Sequence, residues 1–215
     1  MHIVIIPGFT GYPEEKTFQD LGETLTAKGH KVIKIAWPYL PDELDKYSFT
    51  ATIEHTSEIL KNIDNEKLII LGFSMGGIIA TFLATKFKPL KLGLTVCPYQ
   101  AGSGDDLAGK YNEWKLTGKR ELTSSRFGKL VMPFSFIEDA QKYNALDLIS
   151  EINCPKLFIV GEQDNKVPLH VSKKLFEKAN EPKIWKQLAG MEHKYQYQPE
   201  VLKQVNELLI GFIEG

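Results

Sequence analysis

Residues 71–77, LGFSMGG, place a single hydroxyl among glycines, between two apolar segments. The stretch contains the pattern G-x-S-x-G with Ser74 at its centre. A serine in this position either fills a tight turn or acts as a nucleophile. The run KLIILGF (67–73) before it has the composition of a buried strand, and MGGIIATFLATKF (75–87) after it that of a helix. A strand–turn–helix context pushes the serine out at the carboxyl end of the strand, so we predict a nucleophile.

A serine hydroxyl is a weak nucleophile until a base accepts its proton and an acid orients that base. Of the five histidines, His193 alone lies just after a predicted strand, in a loop at the carboxyl edge. His2 and His30 lie at the amino ends of early strands. His55 and His170 lie in or near helical patterns and are expected to be solvated. The sequence therefore favours His193 as the base.

Asp164 follows the apolar run PKLFIV, in the turn segment GEQDN. Its alternative role is that of a turn former or a helix cap, which the nearby Asn165 and Pro168 make credible. Ser74 before it and His193 after it both lie at carboxyl ends of predicted strands. Because Ser, Asp, His is also the chain order expected for this arrangement, we predict that Asp164 orients the base.

The elements that must position these residues alternate between strands and helices, with linkers of a few residues. This alternation predicts an α/β fold, a doubly wound, six-stranded, mainly parallel sheet with helices on both faces and a small cap insertion. At 215 residues the chain is expected to form one domain, residues 1–215. The predicted strands are 2–8, 31–37, 67–73, 90–97, 155–162 and 183–190, and the predicted helices 14–29, 50–63, 75–87, 172–179 and 199–213.

The interval after the fourth strand breaks the alternation, and we predict a cap insertion at about 98–137. Its first part, about 102–132, fits neither a helical nor a strand period, whereas 135–150 has a helical pattern. Its apolar side chains either line a substrate pocket or pack the insertion onto the sheet. Those chosen as candidate substrate contacts are Tyr99, Trp114, Phe127, Met132 and Phe134. The insertion carries six Lys or Arg against four acids, too small an excess to indicate an anionic substrate.

Four segments together resemble the α/β-hydrolase family: IIPGFTG at the first strand's end, GFSMGG, FIVGEQDNKVP and GMEH. The resemblance covers nearly the whole chain. It implies a Ser74 nucleophile, a His193 base and an Asp164 orienter. It also implies an oxyanion hole built from the backbone N–H groups of Phe9 and Met75, and a variable cap after the fourth strand.

This chain departs from the family pattern in two places. Pro7 replaces the histidine that often precedes the oxyanion loop and braces it, although Gly8 remains. The first predicted strand begins at residue 2, where many members have an additional amino-terminal hairpin. The chain therefore resembles the minimal members of the family, with six parallel strands.

The bulk properties restrict the class of partner. The net charge is −1, and the sequence pI of about 6.5 gives no electrostatic footprint for nucleic acid. No apolar run reaches the ~20 residues that span a bilayer, and no signal peptide is evident, so we expect a cytoplasmic protein. Cys97 and Cys154 are expected to stay reduced. Neither a metal nor a cofactor is expected, because no histidine pair has ligand spacing.

The sequence as a whole predicts a serine hydrolase, like a small carboxylesterase. It would cleave carboxylic esters of small to medium acyl groups through an acyl-enzyme intermediate. The same residues could act on a thioester, an amide or a carbon–carbon bond, since fold and triad do not separate these reactions. A non-catalytic binding protein on a hydrolase scaffold is the alternative from another class.

Overall fold

The computed structural model describes residues 1–102 and 111–215. Six strands form one sheet in which every neighbouring pair is parallel. This confirms the predicted sheet. Its strands are β1 (His2–Ile6), β2 (Lys31–Lys34), β3 (Leu68–Phe73), β4 (Lys91–Thr95), β7 (Lys156–Gly161) and β8 (Lys183–Leu188).

The strand order across the sheet is β2-β1-β3-β4-β7-β8. The chain passes from β1 to β2 at one edge of the sheet, then crosses back to β3 on the other side of β1. From there it continues strand by strand to β8 at the opposite edge. Because all strands are parallel, their carboxyl ends meet at one edge of the sheet. Loops that leave β1, β3, β7 and β8 therefore converge there, which is where open α/β sheets bind ligands.

Both faces of the sheet are covered, because successive residues of each central strand point to opposite sides. On β1, Ile3 and Ile5 join one buried cluster, whereas Val4 and Ile6 join the other. The first cluster includes α1 (Lys16–Ala27) and α7 (Pro199–Glu214). The second includes α2 (Phe49–Leu60), α3 (Met75–Phe87) and α6 (Leu169–Lys178). All five helices lie where the sequence predicted them.

The stretch expected to be irregular contains regular structure. A short helix, α4 (Tyr111–Thr117), precedes an antiparallel hairpin of β5 (Lys119–Ser124) and β6 (Gly128–Pro133). The hairpin is separate from the main sheet. Leu130 and Met132 alternate with exposed residues along β6, a period of two that the sequence analysis did not detect. The predicted cap also includes residues 103–110, which lie outside the described part of the chain.

The helix predicted over 135–150 is too long. The helix α5 (Phe134–Ala140) is only seven residues long, and two 3-10 turns follow at Ala145–Asp147 and Ile149–Glu151. Asn144 forms an isolated bridge with Gln100 and accepts a hydrogen bond from the Leu146 N–H through its side chain. This local bonding competes with helical hydrogen bonds and breaks the element.

Both cysteines are free thiols, as expected: Cys97 is buried and Cys154 is half-buried. Burial raises the pKa of both thiols. Among the residues that the structure describes, no helix combines the length and the apolar character needed to cross a bilayer.

Candidate active site

Ser74 joins β3 to α3 in a strained backbone conformation. Its φ is 52° and its ψ is −126°, which a non-glycine residue rarely adopts. The strain is offset by hydrogen bonds on both sides. The Ser74 N–H donates to the Thr95 carbonyl, and its own carbonyl accepts from the Gly77 N–H, both at 2.9 Å. The turn thereby projects the serine hydroxyl beyond the sheet.

Glycines make this turn possible, each against a different neighbour. A Cβ on Gly76 would lie 2.3 Å from the Ile6 carbonyl oxygen, so α3 could not start beside the end of β1. A Cβ on Gly77 would lie 2.2 Å from the Cys97 Sγ, and one on Gly72 would lie 2.5 Å from the Gly77 Cα. The sequence analysis had not identified Ile6 and Cys97 as neighbours, which come from β1 and from the segment after β4.

A chain of hydrogen bonds links the three residues predicted to act together. The Ser74 Oγ lies 3.0 Å from the Nε2 of His193. The Nδ1 of the same ring lies 2.8 Å from the Oδ2 of Asp164. They come from the loops after β3, β8 and β7, so the sheet edge brings together residues up to 119 positions apart. The geometry suits proton transfer from the serine to an oriented imidazole.

The carboxylate of Asp164 is buried, and its residue is only 5 % exposed. The Oδ1 accepts hydrogen bonds from the backbone N–H groups of Lys166 and Val167, at 2.9 and 2.8 Å. These bonds fix the carboxylate and leave Oδ2 to face His193. Asp164 is therefore both a turn former and the partner of the histidine, two roles that the sequence analysis had treated as alternatives.

The two predicted oxyanion donors lie beside the serine. Phe9 and Met75 both line the cavity into which Ser74 opens. Met75 is the first residue of α3, so its N–H has no partner within the helix. Gly8, next to Phe9, is in close contact with the serine: a Cβ there would lie 3.1 Å from the Ser74 Cβ. The loop after β1 thus runs directly over the hydroxyl.

Two aromatic residues brace this loop, and the sequence analysis missed both. The Trp37 Nε1–H donates to the Gly8 carbonyl at 2.9 Å, and the Tyr47 hydroxyl accepts from the Thr10 N–H at 3.4 Å. Both rings are buried and pack edge to face, with centroids 5.0 Å apart. They supply support at the loop where Pro7 replaces the family's histidine. Nothing in their local sequence indicated this contact, since they lie 29 and 37 residues from their partners.

The serine opens into a cavity of about 380 Å³ between the sheet edge and the cap. Of the five candidate substrate contacts, the structure brings only Trp114 to the cavity wall. The cap adds Arg120, Leu122 and Phe136 to it. On the opposite side the wall consists of residues from the start of α1 and from the loop after His193, among them Glu15, Phe18, Lys194 and Tyr195.

The other four candidates lie elsewhere. Met132 is fully buried and Phe134 nearly so, and both belong to the core. Tyr99 packs against the same core, with the Lys174 ammonium over its ring. Phe127 contacts the Tyr12 ring outside the cavity, with centroids 6.2 Å apart. For these residues, packing of the cap is the observed role.

Glu15 places a carboxyl group on the α1 side of the cavity. Desolvation raises its pKa from 4.5 to about 7, although a hydrogen bond from the Tyr12 backbone and the charge of Lys194 act in the opposite direction. The adjacent Tyr195 hydroxyl is buried without a hydrogen-bond partner among the described residues, and its pKa is raised by burial. Within residues 1–102 and 111–215, no three His, Cys, Asp or Glu side chains are placed to hold a metal ion.

Comparison with known families gives one match that covers most of the chain. The family model of serine hydrolase (FSH1) matches residues 12–191. The matched region contains Ser74 and Asp164 and ends two residues before His193. It includes the whole cap and every strand except β1.

Individual relatives are more distant. The chain is 24 % identical over 184 residues to palmitoyl-protein thioesterase ABHD10, mitochondrial, of Homo sapiens, covering 79 % of this chain and 59 % of that protein. It therefore spans less than two thirds of that relative's length.

Solved structures show the same fold at low identity. A putative hydrolase from Agrobacterium vitis S4 has a TM-score of 0.83 and 16 % identity, covering 99 % of this chain and 87 % of that one. Est1E from Butyrivibrio proteoclasticus, with ferulic acid bound, has a TM-score of 0.73 and 18 % identity, covering 100 % and 90 %. At such identities the likeness shows the fold alone.

Proposed function

The chain belongs to the FSH1 serine hydrolase family, and on that premise we propose that it hydrolyses carboxylic esters of small to medium acyl groups. The observation that carries the proposal is the 3.0 Å contact between the Ser74 Oγ and the His193 Nε2 at the wall of a cavity. A hydroxyl paired with a base, beside two backbone donors, is the arrangement that acyl transfer requires.

The first half-reaction acylates the serine. Ser74 Oγ attacks the carbonyl carbon of the ester while His193 Nε2 takes the hydroxyl proton. Asp164 keeps the imidazole oriented through Nδ1 and stabilises the imidazolium. The N–H groups of Phe9 and Met75 bind the oxyanion of the tetrahedral intermediate. The imidazolium then gives its proton to the departing alcohol oxygen as the C–O bond breaks.

The second half-reaction releases the acid. His193 takes a proton from a water molecule, whose oxygen attacks the acyl carbon of the Ser74 ester. The tetrahedral intermediate collapses, the proton returns to Ser74 Oγ, and the carboxylic acid leaves. One water is consumed and the enzyme is restored, so no cofactor takes part.

The volume of the cavity supports the proposed size of the acyl group. Its volume of about 380 Å³ lies near the lower end of the range for small-molecule sites. Phe9, Met75 and Leu122 are half-buried and give the cavity wall apolar surface. A small or medium acyl group fits this space better than a bulky lipid.

A thioester is the second candidate. The observation that favours it is the match to a relative named palmitoyl-protein thioesterase. The same residues would perform the same two steps, with a thiol leaving in place of an alcohol. Ester and thioester differ at the leaving atom, so the same acyl group occurs in both.

The experiment combines active-site labelling with a substrate panel. We expect a fluorophosphonate probe to label Ser74 in the wild type and the Ser74→Ala variant to remain unlabelled. p-Nitrophenyl esters from acetate to palmitate, measured beside acyl-CoA thioesters of the same lengths, then locate the preferred acyl group. The expected maximum of kcat/KM lies among the shorter esters.

Ser125→Ala is the matched control, because it removes another hydroxyl from the cavity wall. This variant should be labelled like the wild type. If Ser74→Ala is still labelled and still turns over esters, the nucleophile is a different residue and the proposal is wrong. A wild-type preference for the thioesters would select the second candidate.

A further inference from the structure

The charges of the cap hairpin differ in whether they have partners. Lys129 pairs across the hairpin with Glu121, at 2.8 Å between Nζ and Oε1, and Arg126 pairs with Glu14. Arg120 forms an ion pair with neither of these two carboxylates. Among residues 1–102 and 111–215, no carboxylate lies within ion-pair distance of its guanidinium. Among the described residues, Arg120 and Lys119 are therefore the hairpin cations that form no ion pair.

Arg120 is also the hairpin cation that reaches the cavity wall within the described part of the chain. It lies on β5 opposite Met132, and its guanidinium carbon stands 5.8 Å from the centre of the Trp114 ring. Trp114 is fixed, since it is 2 % exposed and its Nε1–H donates to the Met132 carbonyl at 3.2 Å. The guanidinium thus rests over a rigid aromatic surface, which limits its freedom.

A series of packed aromatic rings connects this cation with the predicted oxyanion site. The rings of Trp114 and Phe136 are parallel, with centroids 6.5 Å apart. Phe136 in turn contacts Phe9, with centroids 4.9 Å apart, and Phe9 supplies one oxyanion donor in the proposed mechanism. Ser74, Phe9 and Arg120 all line the same cavity, so a substrate held at Ser74 shares that space with the guanidinium.

The one acid that the described cavity wall carries is Glu15. Glu15 belongs to the α1 side, where it interacts with Tyr12 and Lys194 and lies beside Tyr195. The charged residues on the described cavity wall are therefore one carboxyl group and three cations, with Trp114 beside the arginine: Glu15, Arg120, Lys166 and Lys194. A ligand that satisfies the arginine must bring an anionic oxygen group to the cap side.

We propose that Arg120 binds an anionic group at the distal end of the substrate, so that the preferred substrate is an ester or thioester carrying a carboxylate or a phosphate. The inference rests on the proposed hydrolase function. The planar guanidinium fork matches either group through two parallel hydrogen bonds. A carboxylate would terminate the acyl chain, as in a half-ester of a dicarboxylic acid. A phosphate would belong to the leaving group, as in coenzyme A.

The test compares substrates matched in length but not in charge. The first pair is the p-nitrophenyl half-ester of glutarate against p-nitrophenyl pentanoate. The second is butyryl-CoA against the butyryl thioester of N-acetylcysteamine, which lacks the phosphates. The wild type is compared with Arg120→Gln, Arg120→Lys and the control Arg126→Gln, whose guanidinium pairs with Glu14 on the surface.

We expect Arg120→Gln to lower kcat/KM about 10- to 100-fold for the charged member of one pair, mainly through KM, since a charge-assisted hydrogen bond is lost. The neutral members should change less than about threefold, which also reports intact folding. Arg120→Lys should recover part of the loss because it keeps the charge without the fork. Arg126→Gln should resemble the wild type. The pair that responds identifies the acyl carboxylate or the leaving-group phosphate.

Equal losses for charged and neutral members, or no change for either, would overturn the proposal while leaving the hydrolase function intact. If no ester or thioester is turned over, the hydrolase function fails instead. In that case, isothermal titration calorimetry with the two free acids tests the role of Arg120 independently of turnover. Glutarate should bind the wild type about 10-fold more tightly than pentanoate, and that difference should vanish in Arg120→Gln. Equal binding of the two acids would refute it.

Discussion

The indole N–H of Trp37 donates a hydrogen bond to the carbonyl oxygen of Gly8 at 2.9 Å. Gly8 immediately precedes Phe9, whose amide is one of the two proposed oxyanion donors. The Gly8 carbonyl also accepts from the Gly11 N–H at 2.9 Å, so the loop is held from two directions. Trp37 thereby connects the end of β2 to the proposed catalytic centre without contacting the substrate.

Replacing Trp37 with phenylalanine should misplace the oxyanion loop without opening a large cavity. We expect kcat to fall roughly 5- to 10-fold with little change in KM, because about 1 kcal/mol of positioning is lost. Trp185→Phe is the matched control. Its indole makes a 3.4 Å contact with Gln187 on the edge strand β8, far from the loop. A KM effect in place of the kcat effect would assign Trp37 to substrate binding.

Asp164→Asn keeps the shape of the side chain and removes its charge. The variant can still accept hydrogen bonds from the Lys166 and Val167 N–H groups, so folding should survive. Its amide would face His193 Nδ1 and favour the wrong tautomer. We expect kcat to fall by about 10³-fold or more with an unchanged circular dichroism spectrum.

The control for this variant is Asp147→Asn, which changes an exposed carboxylate in a 3-10 turn and should leave kcat unchanged. Near-normal turnover by Asp164→Asn would mean that a different carboxylate orients the histidine.

Glu15 should make stability depend on pH. Its folded-state pKa is raised by desolvation from 4.5 to about 7, so the folded protein retains a proton that the unfolded chain releases. The free energy of unfolding from this group is therefore highest below about pH 4.5 and falls as the pH rises toward 7. Glu15→Gln removes the titration. Its melting temperature relative to the wild type should increase across this window, by about 3 °C or more.

Melting curves at pH 4.5, 6 and 8 measure this difference, with Glu23→Gln as control. Glu23 is an exposed glutamate on α1, the helix that Glu15 directly precedes, and it contacts Gln19, so its replacement should shift the melting temperature equally at each pH. A constant difference between Glu15→Gln and the wild type across the three values would show that the half-buried carboxyl of Glu15 does not titrate in this range.

The sequence by itself determined the sheet, its five flanking helices and the set of residues expected at its carboxyl edge. Apolar runs and helical periods are local properties, and a parallel sheet places the residues after each strand on one side. Ser74, Asp164 and His193 could therefore be proposed as neighbours from their places after strands. The G-x-S-x-G turn was recognisable because its steric requirement is carried by adjacent residues.

Only the tertiary structure decided which side chains surround that edge. Trp37 supports the loop of Gly8, and Arg120 rather than Phe127 reaches the cavity, although composition gave no reason to separate them. The hairpin β5–β6 was missed because its alternation is short, with Leu130 and Met132 as the two buried positions of β6. These relationships join residues far apart in the chain. They follow from how the cap packs on the sheet, which no local pattern encodes.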